Sequence, residues 1–200
     1  GYMADHWNSN VTSSTDDIER EELHSRCIDM RGFRRSDGHF EVQGRVVDRK
    51  TYDFTIRNWD RIIPAHQPIH DMGVSLVFDD KMIVQEIHTF TDAAPYAICP
   101  DGGKPLQTIK GLRIGNGWIR EVRSRLGGAK SCTHLMELLF PMATTAMQTM
   151  SVLRENQPDE LDNSGRPLKI DSCYAYAAER NLVKQRWPNF YRPVLDERDK

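Results

Sequence analysis

"PIHDMGVSLVFDDKMIVQEIHTFTD", residues 68–92, reads as two strands and a turn. Val74, Leu76 and Phe78 stand two apart with Ser75 and Val77 between them, and the same spacing returns at Ile83, Gln85, Ile87 and Thr89. A period of two sends successive side chains to opposite faces of a strand. The mostly charged Asp79-Asp80-Lys81-Met82 reverses the chain between the two runs. Strands joined this closely pair antiparallel, so this hairpin is the seed of an antiparallel sheet.

The pattern extends upstream. In "GHFEVQGRVVDRKTYDFTI", residues 38–56, Phe40, Val42, Gly44 and Val46 alternate with polar neighbours, and Tyr52, Phe54 and Ile56 follow a charged turn. This predicts a second hairpin. Before it, "STDDIEREELHSRCIDMRGF" offers caps at Ser14 or Thr15 and apolar positions at Ile18, Leu23 and Cys27, which predicts a short helix. Residues 1–16 are polar and aperiodic and are expected to form a flexible tail, leaving 17–200 as a single α+β domain.

Downstream the period changes. "GNGWIREVRSRLGG" places Trp118, Ile119, Val122 and Leu126 on one side of a surface helix that stops at a glycine pair. "KSCTHLMELLFPMATTAMQTM", residues 130–150, predicts a long apolar helix capped by Ser131 or Thr133 and running to about Arg154. Strands first and a long helix after them give an α+β fold, an antiparallel sheet of hairpins packed with a Pro-kinked helix. Sheets of this kind pair through their edges, which is compatible with a homo-oligomer.

Composition narrows the partners. Against 29 acidic residues the chain carries 27 basic ones, a formal charge of -2, so no overall field draws in a polyanion and nucleic acid is not an expected partner. No apolar run approaches the roughly 20 residues that span a bilayer, and the start of the sequence lacks the pattern of a secretion signal, so a cytoplasmic protein without membrane contact is expected. Cys27, Cys99, Cys132 and Cys173 form no C-x-x-C pair, which argues against a zinc ribbon and a disulfide framework.

The long helix carries a polar stripe. His134, Glu137, Pro141, Thr144 and Gln148 recur at helical spacing among Leu135, Leu138, Leu139, Met142, Ala146 and Met150. Pro141 has no N–H and its ring presses on the carbonyl of residue 137, so a bend is expected beside Glu137. The stripe is either a solvated edge or the wall of a cavity in which partial burial poises His134 as an acid or base. His70 and Asp71 add two more candidates at the start of a strand. Adjacent strand residues face opposite sides, so only one of them enters a shared site.

Other chemistries find weaker support. His134-x-x-Glu137 is ligand-like spacing, and His70, Asp71 or Cys132 could complete a site for a metal-assisted hydrolase, yet nothing in the sequence requires a metal and none is expected. Cys132 at a helix start would have a lowered pKa, but no acyl-transfer signature surrounds it. "GLRIGNGWIR" matches no phosphate-loop fingerprint. Arg31 and Arg35 in "RGFRRSDG" could hold an anionic ligand in a non-catalytic binding or regulatory module of the PilZ kind, although that motif's companion strand is absent.

"RRSDGHFEVQGRVVDRKTYDF", "IHDMGVSLVFDDKMIVQEI", "AAPYAICP", "GLRIGNGWIREVRSRLGGAKSCTHLMELL" and "DSCYA" together resemble a bacterial family catalogued as a domain of unknown function, over roughly residues 31–188. At Ala129-Lys130-Ser131 the chain departs from the family's plainer glycine-containing turn. The resemblance implies a place in the catabolism of plant-derived aromatic compounds and a lyase step that removes formaldehyde from lignin-type dimers. It implies no cofactor and a small aromatic substrate. Such chemistry needs a base, for which His134 with Glu137 suits, and a group to receive a phenolate, for which His70, Lys110, Arg113 or Tyr96 are available. It also needs an apolar slot, to which Met136, Phe140 and Met147 could contribute beside Thr144.

Overall fold

The computed structural model describes residues 18–58 and 60–193, so the expected N-terminal tail and the caps at Ser14 and Thr15 lie outside the described residues. The chain divides into two compact units, one ending at Met150 and one beginning at Ser151.

The first unit is built on a four-stranded antiparallel sheet, with β1 (His24–Arg34), β2 (Phe40–Lys50), β5 (Pro68–Phe78) and β6 (Val84–Ala93) in the order β1-β2-β5-β6. The α+β class and the hairpin at 68–92 are as the alternation requires. Two assignments change. Of the helix expected over 14–33, residues 18–23 have no regular structure and the rest is strand β1, because Arg26, Ile28, Met30 and Gly32 pair with Asp48, Val46, Gly44 and Val42 along the free edge of β2. The second hairpin is also different: β3 (Phe54–Ile56) leaves the main sheet and pairs with β4 (Arg61–Ile63), and β2 pairs instead with β1 and β5. A period of two identifies strands, but it does not name their partners.

One face of the sheet is apolar. Phe40, Val42 and Val46 of β2 and Met72, Val74, Leu76 and Phe78 of β5 are buried there against α1 (Trp118–Leu126) and α2 (Thr133–Thr149). Leu135, Leu138, Leu139, Met142 and Ala146 of α2 complete this core, and each buried Leu or Met side chain contributes about 1.5–3 kcal/mol. Gly44 sets the approach of helix to sheet, since a Cβ there would stand 2.9 Å from Met142 Sδ. Farther along α2, Thr149 occupies the space where a side chain at Gly32 would go.

Cys132, not Ser131 or Thr133, is the N-cap of α2, and Ser131 Oγ instead donates to the Leu126 carbonyl at 2.7 Å. Pro141 lies inside an unbroken helix, whose backbone beside it is supported by Trp118 Nε1 donating to the Leu139 carbonyl at 2.8 Å. The helix ends at Thr149, and Ser151–Arg154 forms a separate turn, α3.

The second unit is small. Ile170, Ala178 and Val183 form its core with Trp187 and Phe190 beside them, and the short α4 (Asn181–Arg186) carries Val183 into it. Trp187 Nε1 donates to Asp159 at 2.8 Å. All four cysteines are free thiols. No helix among the described residues is long and apolar enough to cross a membrane.

Candidate functional site

The register of the sheet builds the site. Arg26 of β1 lies opposite Asp48 of β2, and Asp48 lies opposite His70 of β5, so three polar side chains form one row across three strands on the face that α2 covers. The row follows the apolar positions Val42, Gly44 and Val46 in step, which is why a carboxylate ends up on the buried face. The β2–β5 ladder is irregular just past Asp48 and the β5–β6 ladder just past Asp71, and such bulges commonly aim side chains at sites.

Asp48 is the hub. Only 1% of its side chain is exposed, and it accepts a two-pronged bond from Arg26, Nε to Oδ1 at 2.7 Å and Nη2 to Oδ2 at 2.8 Å. His70 Nδ1 stands 2.9 Å from Oδ2 and His24 Nε2 stands 3.3 Å from Oδ1. Burial alone would raise the Asp48 carboxyl; the hydrogen bonds from His70 and Arg26 outweigh it and hold the group well below the usual carboxylate range. The ionised carboxylate can only accept, so His70 Nδ1 carries the proton of that bond, and in the neutral imidazole Nε2 is the acceptor.

The first turn of α2 then adds His134. Its ring lies over that of His70 with centroids 4.0 Å apart, and it makes no hydrogen bond to other described residues. Burial pushes the imidazole below its ordinary pKa, with the charges of His70 and Arg26 adding to the effect and Asp48 and Glu137 opposing it. His134 is therefore neutral at pH 7. A proton on His70 disfavours one on His134 at this distance.

Of the residues expected from the sequence, His70 and His134 are brought together. Glu137 is 52% exposed at the rim, and its nearest charged partner is Arg26 Nη1 at 4.0 Å, not His134. Asp71 faces the other side of the sheet, as strand alternation demands, where it accepts Arg45 Nε at 2.8 Å and Nη2 at 2.6 Å. It does not join the site. Arg113 bridges to Ile83 beyond the far end of β5 and Lys110 precedes that bridge, which at about 3.3 Å per residue puts both roughly 25 Å from His70. Neither can meet a group bound at the histidines.

The remaining candidates are spread along the same elements. Tyr96 is exposed and follows β6, whose Ala93 pairs with Asp71, so it leaves the sheet at the end where His70 stands. Met136 packs against the core, Phe140 lies under the Arg123 guanidinium at 5.3 Å, and Thr144 is exposed on α2. Cys132 Sγ is 3.8 Å from Met72 Sδ. Arg31 is paired with Asp29 at 2.8 Å and Arg35 with Asp37 at 2.7 Å, where the guanidinium holds the Asp37 carboxyl down to about 2. Those two arginines already have carboxylate partners, which weakens an anion-binding module centred on them.

Asp48, Arg26 and His24 were missed by the sequence reading. Asp48 left a signal, a charge in step with the apolar positions 42, 44 and 46, whereas Arg26 was hidden by the helix assigned to its strand. Asp48, His70 and His134 also offer three ligand atoms within 4.8 Å of one another, a spacing that could hold a metal ion. The fork from Arg26 already engages both Asp48 oxygens, so a cation would compete with a guanidinium for them.

No curated protein and no solved structure matches the chain. A family model does match, over residues 24–148, a span that runs from β1 into the last turn of α2 and contains Arg26, Asp48, His70, His134 and Glu137. The chain belongs to the family described as "Protein of unknown function (DUF2889)".

Proposed function

We propose that this protein is a cofactor-independent carbon–carbon lyase that releases formaldehyde from a hydroxymethyl group of lignin-derived aromatic dimers and leaves a stilbene. The observation that carries the reading is the imidazole pair with a buried, ionised carboxylate behind one member: His70 Nδ1 bonded to Asp48 at 2.9 Å and His134 stacked on His70 at 4.0 Å. A carboxylate behind an imidazole fixes its tautomer and stabilises the imidazolium that forms when the far nitrogen takes a proton.

In this mechanism His70 Nε2 accepts the proton of the primary alcohol. The carbon–carbon bond to the hydroxymethyl carbon breaks as that carbon becomes the carbonyl of formaldehyde. The released electron pair forms the new double bond, and an aryl ether on the next carbon leaves as phenolate. Electrons and atoms balance without an oxidant. His134, kept neutral, hydrogen-bonds the same hydroxyl and orients it, and the proton held on His70 is available to the departing oxygen or to water. Met72, Leu135 and Leu138 are buried in the core that backs these elements, so ring contacts in this reading fall to the partly exposed side chains around the histidines.

The test is to incubate purified protein with phenylcoumaran-type dimers and assay formaldehyde. Turnover that falls by about 10²-fold or more in a folded His70→Ala variant supports the reading. Absence of turnover with every aromatic dimer tried removes it. A second reading, metal-assisted hydrolysis, draws on the three ligand atoms at Asp48, His70 and His134. Stoichiometric zinc, iron or manganese in the purified protein, lost in His134→Ala, is its expected signature.

A further inference from the structure

The chemistry above needs a group to receive the departing phenolate, and the residues first considered for that task do not all reach the site. Arg26 does. Its Nε and Nη2 are committed to Asp48, which holds the guanidinium in one plane. Its third nitrogen, Nη1, makes no hydrogen bond to any described residue, and Glu137 Oε2 faces it from 4.0 Å, beyond hydrogen-bond reach. The Arg26 side chain is 38% exposed and Glu137 52%, so the space beside Nη1 opens to solvent at the rim of the site.

We infer that Arg26 Nη1 is an oxyanion-binding group that takes the charge of a phenolate oxygen on the substrate, with the Glu137 carboxylate as a displaceable stand-in for that anion.

Three features carry this. Arg26 Nη2 and His70 Nδ1 bond to the same oxygen, Asp48 Oδ2, so the base and the anion holder keep a fixed relation across one atom. In the proposed substrate the alcohol oxygen and the departing ether oxygen are separated by three carbons, which suits two groups that reach one carboxylate oxygen from the two strands flanking it. Guanidinium N–H groups that are oriented beforehand need no reorganisation when charge develops, which is the condition for electrostatic catalysis. A carboxylate at the rim serves the resting state: it keeps Arg26 partly neutralised until an anion displaces it.

The step forms no covalent bond to the protein. The carbon–oxygen bond of the aryl ether breaks, its electron pair goes to oxygen, and that oxygen accepts hydrogen bonds from Nη1. The role in turnover rests on the lyase reading; the anion site itself can be tested without it.

The test uses the full chain and 4-nitrophenol as a coloured probe, titrated above its ionisation pH, beside the formaldehyde assay. Arg26→Gln is expected to lower affinity for the phenolate by about tenfold or more and turnover by about 10²-fold, with the larger losses for dimers whose leaving phenol is less acidic. Glu137→Gln, a rim substitution that leaves the Asp48 cluster in place, is expected to raise phenolate affinity by about two- to fivefold. Unchanged phenolate affinity in a folded Arg26→Gln protein, weaker binding in Glu137→Gln, or no phenolate binding by the unaltered protein each overturns the inference. Arg26-dependent phenolate binding without formaldehyde from any dimer removes the lyase reading and leaves the oxyanion site standing.

Discussion

The two faces of the central sheet carry nearly the same ion pair, and only one of them carries a candidate site. On the helix-covered face Arg26 forks onto Asp48 at 2.7 and 2.8 Å; on the other, Arg45 forks onto Asp71 at 2.8 and 2.6 Å. Both carboxylates are buried, Asp48 at 1% exposure and Asp71 at 8%. The difference lies in what stands next to them. Asp48 has an imidazole on its second oxygen and a helix that lays another imidazole over the first, whereas Arg45 lies 5.9 Å from the Phe90 ring, which itself lies where a side chain at Gly73 would go. An Arg–Asp fork by itself is scaffolding, and the histidines make one of the two the candidate acid/base centre.

The largest expected effect separates the two forks. Asp48→Asn is expected to reduce formaldehyde release by about 10²–10⁴-fold, because His70 loses the partner that fixes its tautomer, whereas Asp71→Asn leaves turnover within about twofold. Matched assays of the two folded variants check this; equal losses would erase the distinction between the faces. His134→Ala comes next. Losing the group that orients the hydroxyl is expected to cost about 10–10²-fold in turnover, with stability changed by about 1 kcal/mol or less.

Stability sharpens the same contrast. Asp48→Ala is expected to cost about 2–3 kcal/mol in urea denaturation, less than the roughly 3–5 kcal/mol of a fully buried pair because Arg26 is 38% exposed. The pH dependence has two parts. A depressed Asp48 pKa means stability that is present above the unfolded value of about 3.9 and lost as pH falls through the lower folded value, so the loss belongs to strongly acid solution. His134, whose folded pKa is also depressed, binds a proton more readily when unfolded, so stability rises with pH up to about 6.5. That rise is expected to flatten in His134→Ala, measured by thermal melts across pH 5–8.

The smallest effect is at the rim. Glu137→Gln is expected to change stability by less than about 1 kcal/mol, since both partners are exposed and 4.0 Å apart, and to reveal itself only through anion affinity.

By itself the sequence determined the class of fold. Alternation at 74–78 and 83–89 demanded a hairpin, the 3.6-residue period at 118–126 and 133–149 demanded helices, and the adjacency of His70 and Asp71 demanded that only one of them face the helix. These are local properties, set by where a backbone of fixed geometry points its side chains. Only the tertiary structure decided that residues 24–34 are a strand, since the sparse apolar spacing there reads as a short helix and the segment becomes extended by pairing with the edge of β2. It also decided that Glu137 turns toward Arg26 and not toward His134, and that Lys110 and Arg113 stand at the far end of the sheet. The row Arg26, Asp48, His70 joins positions 22 residues apart at each step, and no local period encodes such a pairing. It exists because strand register is a long-range choice, made when the apolar face of the sheet closes on its helix.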